Sequence, residues 1–279
     1  MSHSESGGLM WINVLLGKRD LLTPYFKFKK ELRGNLTSAL LEDIFRLRYE
    51  VYCLECQFLA IDDFKNGQET DEYDDCSTHF AGFSLDGTII ATVRLVQPSP
   101  AQNYPFESHC AVFDTYLMPP RDETGEVSRL IVKKSHRRRQ GDSMQGVSSE
   151  FREKGKISAI QPHHGGRKRD GDSPMLLLGL YREMYRYSKE NGIRWWYAAM
   201  ENSVARSLGK IGFEFLPIGP QTDYYGPVTP YVVNVDEVHH RLQIENKLLA
   251  AWFNDERIPF PILIGGWIDQ FRRRFKNKK

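Results

Sequence analysis

The chain has 279 residues, of which 41% are hydrophobic, 12% aromatic and 27% charged, and its formal net charge is +2. This composition supports a packed core and excludes general disorder and the collagen-like, disulfide-framework and coiled-coil classes. No apolar run approaches the 18 or so residues of a membrane-spanning helix, and the N-terminus is too polar for a secretory signal. Four cysteines in a chain of this length are expected to be reduced thiols. We therefore expect a soluble cytoplasmic protein.

The first half of the chain predicts a leader, one helix and three strands. Residues 1–24 are expected to form a mobile leader. A helix follows, because apolar residues recur every three or four positions on one face: Leu40, Ile44, Leu47, Val51 and Leu54. Residues 62–75 are too acidic for a core and are expected to form a loop. Two β-rich runs joined by Asp86-Gly87 predict a hairpin over residues 79–96, and residues 126–132 form a third strand.

The second half alternates helices and strands after a basic segment. Residues 143–172 show no apolar periodicity and predict a flexible basic insertion. Further elements are predicted in this order: a helix from Ser173-Pro174, an apolar strand over 194–200, a short helix capped by Asn202 or Ser203, a strand over 231–235 and a helix over 236–252. This order predicts an α/β (α+β) fold with a mixed central sheet flanked by helices, in a single domain over residues 25–255.

Charged residues inside apolar strands are the strongest local signal. Strict alternation puts Glu126 and Ser128 on one face of their strand and Arg129 on the other. Arg94 interrupts an apolar run, and a buried arginine needs a carboxylate partner. The carboxylates of residues 69–75 could supply it. The alternatives are an edge strand with solvated charges and an acidic loop that is merely solvated.

Other chemistry is less well supported by the sequence. The Cys53-x-x-Cys56 pair suggests zinc, but it lies within the first helix and has no matching second pair, so packing is the simpler interpretation. There is no Walker loop, no GxGxxG and no GxSxG motif. The basic run at residues 136–141 could bind a phosphate, an acidic partner or nucleic acid, although aromatic residues are not interleaved with it.

Four motifs in one order resemble the GNAT acyltransferase superfamily, and within it the autoinducer-synthase-like branch of acyl-homoserine-lactone synthases and N-acyl amino acid synthases. They are Arg48 with Val51 and Tyr52; Glu69, Asp71, Tyr73 and Asp74; Arg94-Leu95; and Glu126, Ser128 and Arg129. Phe58 stands where the lactone synthases carry a tryptophan beside S-adenosylmethionine. The insertion and residues 224–228 are similar instead to the bacterial PEP-CTERM/exosortase-associated acyltransferases.

The resemblance implies a GNAT-like acyl-CoA N-acyltransferase fold and acyl transfer from an acyl-carrier-protein or acyl-CoA thioester to the amine of an amino acid or similar small acceptor. It implies no bound cofactor and no metal. The implied catalytic residues are Glu126 as proton acceptor, Arg129 and Arg94. Those implied for the acceptor are Arg48, Tyr52, Phe58, Asp71 and Asp74. The thioester and acyl chain would meet Ser128, Leu130, Ile131, Val132 and Trp196, and the carrier or phosphopantetheine would meet Arg137, Arg138, Arg139 and Gly141.

Two other functions remain open. One is a lactone synthase that uses S-adenosylmethionine, which Phe58 disfavours. The other is a catalytically silent GNAT-like module that binds a carrier protein or nucleic acid; the presence of all four motifs disfavours it, and no nucleic-acid partner is expected. The tail, residues 256–279, joins an apolar segment to a basic cluster. It predicts either docking on the sheet or peripheral contact with the inner membrane.

Overall fold

One mixed sheet organises the chain in a computed structural model, which describes residues 26–137, 173–224 and 226–256. The predicted leader, the insertion and all of the predicted tail except Glu256 lie outside the described residues. The strands are β1 (Lys27–Glu31), β2 (Ser77–Phe83), β3 (Ile89–Val96), β4 (Thr124–Val132), β5 (Trp195–Met200), β6 (Leu216–Pro217), β7 (Thr222–Asp223) and β8 (Pro227–Asn234). The α-helices are α1 (Ala39–Tyr49), α2 (Ser173–Glu190), α3 (Asn202–Gly209), α4 (Val235–Glu245) and α5 (Lys247–Phe253).

The strand order is β1-β2-β3-β4-β5-β8-β6, with β7 paired to β8. Every pairing is antiparallel except that of β4 with β5, which is parallel. This parallel ladder holds only three residue pairs and ends at Glu126 and Tyr197, although both strands continue. The two strands therefore separate beyond Glu126. Because β4 pairs with both β3 and β5, it is a central strand. The alternative that it is an edge strand with solvated charges is therefore wrong.

The sheet is covered on both faces, as the GNAT-like fold class predicts. The larger core lies against α2, where the predicted apolar positions Leu177, Leu180, Met184 and Tyr187 are all buried. Gly179 permits this contact, because a side chain there would overlap the ring of Phe28 on β1. The opposite face packs against α1. The mixed α/β architecture predicted from the sequence is confirmed.

The predicted first helix is confirmed, but its last turn is not α-helical. Ser38 accepts a hydrogen bond from the amide of Leu41 and caps α1, as serine commonly does. Residues Glu50–Glu55 continue as a π-helix, whose wider turn changes the angular position of later side chains. Leu54 is consequently 52% exposed, although an α-helical repeat would place it with the buried Leu47 and Val51.

Strands β1, β6 and β7 were not predicted, and β1 extends the sheet beside β2. Two local predictions need correction. The N-cap of α3 is Glu201 rather than Asn202 or Ser203. The helix predicted over 236–252 is two helices, because Asn246 leaves helical geometry and its side chain accepts from the amide of Leu249. Within the described ranges, no helix is both long and apolar enough to cross a bilayer.

Candidate active site

A bulge in β4 brings the predicted site residues to one face of the sheet. The β3–β4 register shifts between Thr92 and Arg94, and Arg129 has a left-handed φ of +52°. Val127 and Leu130 pack in the core against α2, whereas Ser128 and Arg129 both bond to groups on the α1 face. The predicted strict alternation is therefore wrong at Arg129, because the bulge gives two consecutive residues the same orientation.

The acidic loop is folded into this face rather than solvated. Glu69 is 1% and Asp74 3% exposed, which contradicts the prediction of a loop too charged to be buried. The Glu69 amide donates to the carbonyl of Phe45 on α1 at 3.1 Å. Asp74 Oδ2 accepts from the Asp71 amide at 2.8 Å, which closes the loop on itself. The loop can be buried because each inward carboxylate meets an arginine.

Three arginines and three carboxylates form a charged network, made of Arg48, Arg94, Arg129, Glu69, Asp71 and Asp74. Arg48 from α1 donates to Glu69 through Nε and to Asp74 Oδ1 at 2.6 Å. Arg94 from β3 donates to Asp74 Oδ1 at 2.7 Å and binds both Asp71 oxygens at 2.5 and 2.8 Å. Arg129 from β4 contacts Glu69 Oε1 and Asp71 Oδ2, each at 2.9 Å. The network thus joins a helix, a loop and two strands.

The charges of this network balance. Burial alone would raise the pKa of each carboxyl, but the guanidinium groups more than offset it and hold the pKa values of Glu69, Asp71 and Asp74 below their usual range. Burial lowers the pKa of the neighbouring His79 to about 4, so that imidazole adds no charge at neutral pH. Only Arg129 and Asp71 retain appreciable exposure, with side chains 21% and 18% accessible.

Glu126 has an electrostatic environment unlike that of the other carboxylates. It is 3% exposed and lies at the last pair of the parallel β4–β5 ladder. Burial raises its pKa to about 8, although the Phe106 amide and the charges of Arg94 and Arg129 act in the opposite direction. The Phe106 amide donates to Glu126 Oε2 at 3.0 Å. A carboxyl group in this state can exchange a proton near neutral pH, as a general base requires.

The residues predicted to meet the thioester have mixed positions. Ser128 accepts from Arg94 Nε at 2.8 Å, and Leu130 is half-buried beside the core. Ile131 and Val132 are fully buried. Trp196 is fully buried as well, with its indole nitrogen bonded to Ser188 on α2 at 2.8 Å. Trp196 therefore packs in the core, and its predicted contact with the acyl chain stays a prediction.

The predicted acceptor residues outside the network lie on the π-helical segment and just after it. Tyr52 is buried under the guanidinium of Arg129, 5.2 Å from the ring centre, and burial raises its pKa to about 12. Phe58 is half-buried beside Tyr52 and lines a shallow pocket with Cys53 and Ile61. Among the described residues no cluster of acidic, histidine and cysteine side chains could hold a metal ion.

The basic segment after β4 is only partly described. Arg137 forms a two-pronged ion pair with Glu55 and donates through Nε to the carbonyl of Val132 at 2.7 Å. Lys133 likewise pairs with Glu50 at 2.9 Å. These two cations are therefore engaged with the π-helical segment. Arg138, Arg139 and Gly141 lie outside the described residues, so their predicted role in donor binding stays a prediction.

The segment that covers Glu126 was not predicted from the sequence. It contains the short 3-10 turn Pro105–Ser108, whose Phe106 bonds to the Glu126 carboxyl group, and Tyr104 just before it. Tyr104 and Phe106 are each 1% exposed and pack against Tyr197 of β5. In the sequence this segment shows only aromatic residues within an irregular, proline-containing stretch. Such a pattern does not predict where the segment lies relative to the sheet.

One known family model matches part of the chain. Residues 47–146, which are 100 of the 279 residues, match the family model described as an acetyltransferase (GNAT) domain. The matched region begins in α1 and includes the acidic loop and β2 to β4. This match and the fold confirm the predictions of a GNAT-like fold and of an acyltransferase enzyme.

Solved structures of particular synthases share the fold. The chain is similar to TofI in complex with an inhibitor and MTA (16% identity, TM-score 0.51, covering 80% of this chain and 99% of TofI). It is also similar to the AHL synthase LasI (16% identity, TM-score 0.51, covering 75% of this chain and 90% of LasI). A third similar structure is that of BjaI, a CoA-dependent acyl-homoserine lactone synthase, with SAM and isopentyl-CoA (19% identity, TM-score 0.53, covering 81% of this chain and 98% of BjaI). At these identities the similarity establishes a common fold. No curated protein sequence gives a significant match.

Proposed function

We propose that this protein is an N-acyltransferase that moves a fatty acyl group from a carrier-protein or CoA thioester to the amine of an amino acid or similar small acceptor. One observation carries the proposal: a buried carboxyl group, Glu126, with its pKa raised to about 8, lies where β4 and β5 separate. The Phe106 amide donates to this carboxyl group, and the charges of Arg94 and Arg129 act on it from the charged network.

The reaction needs a deprotonated amine and an expelled thiolate. Glu126 takes a proton from the acceptor ammonium group, directly or through a water molecule. The free amine attacks the thioester carbonyl and a C–N bond forms. The C–S bond then breaks, the nitrogen loses its second proton, and the departing thiolate gains one proton and leaves as the thiol. No covalent enzyme intermediate is needed, so the mechanism does not require a serine or cysteine nucleophile.

The separation of β4 and β5 supports a donor site on the β5 side of β4. The ladder stops at Glu126, so the following residues of β4 have no β5 partner for their backbone on that side. Backbone N–H groups in such a position can donate to the oxyanion of the tetrahedral intermediate. Ser128 and Leu130 border this position. BjaI, which shares the fold, is a CoA-dependent enzyme, and that agrees with a thioester donor.

The charged network supports a small zwitterionic acceptor. Its two partly exposed members are Arg129 and Asp71, and their side chains touch at 2.9 Å. An amino acid would present its carboxylate to Arg129 and its ammonium group to Asp71. Arg94 and Asp74 bond to Asp71 and so orient it. Glu69, which is paired with Arg48, orients Arg129. Tyr52 and Phe58 would form the apolar side of the acceptor site.

The finer identity of the donor rests on the resemblance of the sequence. Similarity of the inserted segment to PEP-CTERM/exosortase-associated acyltransferases favours a long acyl chain on a carrier protein, in the bacterial cytoplasm. The basic residues Arg138 and Arg139 would face the acidic carrier, and the tail would allow peripheral contact with the inner membrane. The main alternative is lactone synthesis from S-adenosylmethionine, which the solved relatives suggest and Phe58 disfavours.

Mass spectrometry of lipid extracts tests the proposal. Cells overexpressing the wild-type chain are compared with cells expressing Glu126→Gln and with a matched control, Glu123→Gln, which removes a partly exposed carboxylate three residues away. A new N-acyl species in the wild-type and control strains alone would establish the reaction and name the acceptor and chain length. An acyl-homoserine lactone would establish the alternative. No new species in any strain would count against both reactions and favour a binding module. The same new species in wild type and Glu126→Gln would remove Glu126 from the role of base.

A further inference from the structure

The turn that covers Glu126 is closed by one carboxylate, that of Glu107. Its Oε2 accepts from the amide of Tyr104 at 2.6 Å, and its own amide donates to the Tyr104 carbonyl at 3.0 Å. Such reciprocal bonds fix the first turn of a helix. Phe106 lies between these two residues, so the direction of its N–H is set by the bonds that Glu107 makes. That N–H donates to Glu126.

The Pro105–Ser108 turn and Tyr104 contact strands β4 and β5 of the sheet and the neighbouring Arg121. The Tyr104 hydroxyl donates to the carbonyl of Thr124 at 3.1 Å, at the start of β4. Arg121 lies over the Tyr104 ring, 4.5 Å from its centre, and its Nη1 is 3.5 Å from Glu107 Oε2. The rings of Tyr104 and Phe106 lie 5.3 and 5.0 Å from that of Tyr197, the β5 neighbour of Glu126. The turn therefore has a defined position relative to the Glu126 carboxyl group.

We propose that Glu107 is a positioning residue for Glu126: by closing the Pro105–Ser108 turn, it holds the Phe106 amide against the carboxyl group that accepts the proton. This inference rests on the proposed function for its catalytic meaning. Glu107 itself touches no reacting group. It acts through the backbone of the turn and through its own charge.

These two actions have opposite effects on the proton affinity of Glu126. The amide bond stabilises the ionised carboxylate and lowers its pKa, whereas the negative charge of Glu107 raises it. Other groups that interact electrostatically with Glu126 come from β3, β4, the acidic loop and the covering segment: Arg94, Arg129, Tyr73, Tyr104 and Cys110. Two substitutions at Glu107 change none of these side chains. Comparing them separates the effect of the Phe106 amide bond from that of the Glu107 charge.

The test compares Glu107→Gln and Glu107→Ala in the full-length protein. Glutamine keeps an oxygen for the Tyr104 amide and loses the charge, so the pKa of Glu126 should fall below the wild-type value. Alanine loses the charge and also loosens the turn, so the pKa should lie above that of Glu107→Gln. Carboxyl 13C NMR, with Glu126 assigned by its absence in Glu126→Gln, measures these values directly. Acyl transfer should fall at least tenfold in Glu107→Ala, and Glu107→Gln should recover most of it with a pH profile shifted to lower pH.

The outcomes separate this inference from the proposed function. Equal Glu126 pKa values in the two variants would overturn the positioning role even if the wild type transfers acyl groups. The expected order of pKa values in a protein without acyl transfer would support the coupling and reject the proposed reaction. If Glu107→Ala does not fold, Glu107→Met replaces it, because methionine has nearly the length of glutamine but no oxygen for the Tyr104 amide. A Glu126 pKa in Glu107→Met equal to that in Glu107→Gln would overturn the inference. Glu123→Gln is the charge-matched control and should not move the Glu126 pKa.

Discussion

Arg48 and Arg94 donate to the same oxygen, Asp74 Oδ1, over 2.6 and 2.7 Å. Arg48 belongs to α1 and Arg94 to β3, so one carboxylate oxygen joins the helix to the sheet. Both guanidinium groups are 1% exposed, and ionised groups at that depth are tolerated only when they are paired. The network therefore stabilises the contact between α1 and the sheet, in addition to any role in the reaction.

Removing Arg48 should destabilise the fold. Arg48→Met would leave Glu69 and Asp74 buried with fewer cationic partners, and breaking a buried ion pair from one side typically costs about 3–5 kcal/mol. Urea denaturation should show this loss in the free energy of unfolding. Arg46→Met is the matched control, because Arg46 lies one half-turn away on α1 and pairs with two exposed carboxylates. Its effect should stay within about 0.5 kcal/mol. Similar losses for the two variants would contradict a structural role of the network.

The main helices and strands could be predicted from the sequence because each is indicated by a short stretch of residues. The 3–4 spacing of α1, the Asp86-Gly87 hairpin and the apolar run of β5 each depend on a few neighbouring residues, and each is confirmed. The π-helical Glu50–Glu55 segment and the break at Asn246 depend on backbone geometry that periodicity does not encode. They are consequently visible only in the structure.

Only part of the candidate site could be predicted from the sequence. Arg94 could be inferred to need a carboxylate partner because it interrupts an apolar run, and Asp71 and Asp74 supply that partner. Burial of Glu69 could not be inferred, because a run of carboxylates is normally solvated and the three arginines that neutralise it come from distant parts of the chain. The bulge at Arg129 changes which face that residue occupies. The burial of Glu69 thus depends on long-range ion pairs, and the face that Arg129 occupies depends on local backbone geometry. Neither can be predicted from composition.

The bulge predicts an unusual order of stability between glycine and alanine. Arg129 adopts φ +52°, a conformation that costs an L-residue roughly 1–2 kcal/mol and costs glycine little. Arg129→Gly and Arg129→Ala both remove the guanidinium from the network, so their difference isolates the backbone. The glycine variant should be more stable by about 1 kcal/mol in urea denaturation, whereas in a regular strand glycine is the less stable of the two. A more stable alanine variant would show that the bulge does not exist in solution.

The network should make stability sensitive to acid. The pKa values of Glu69, Asp71 and Asp74 are lowered in the folded state relative to ordinary values of 4.5 and 3.8. Their contribution is therefore fully present above about pH 4.5 and is lost as the pH falls below that value. Thermal unfolding between pH 7 and pH 3.5 should show a steep fall in midpoint temperature, and Asp71→Asn should flatten it. Glu42→Gln, on an exposed carboxylate, is the control and should keep the wild-type slope; parallel curves for all three would contradict the prediction.

Glu126 predicts how the reaction depends on pH. A general base must be ionised, so kcat/KM should rise with pH through an apparent pKa near 8. Glu126→Gln should lower kcat/KM by about 10²–10⁴-fold. The acceptor amine ionises in both proteins, so the ratio of wild-type to variant kcat/KM isolates Glu126, and this ratio should increase up to about pH 8. A ratio that does not change with pH would remove Glu126 from the role of base.

The same carboxyl group predicts a stability cost that grows in alkali. The pKa of Glu126 is about 8 in the folded protein against an ordinary value of 4.5, so the folded state binds the proton more strongly than the unfolded chain. The stability of the wild type should therefore decline as the pH rises from about 4.5 to 8, because an ionised carboxylate must then be held in a buried position. Glu126→Gln has no such proton, and its stability relative to the wild type should increase over this range by several kcal/mol, on the order of 1.4 kcal/mol per pKa unit. Urea denaturation at pH 5, 7 and 9 measures the difference, and a constant offset between the two proteins would mean that Glu126 is not held protonated by its burial.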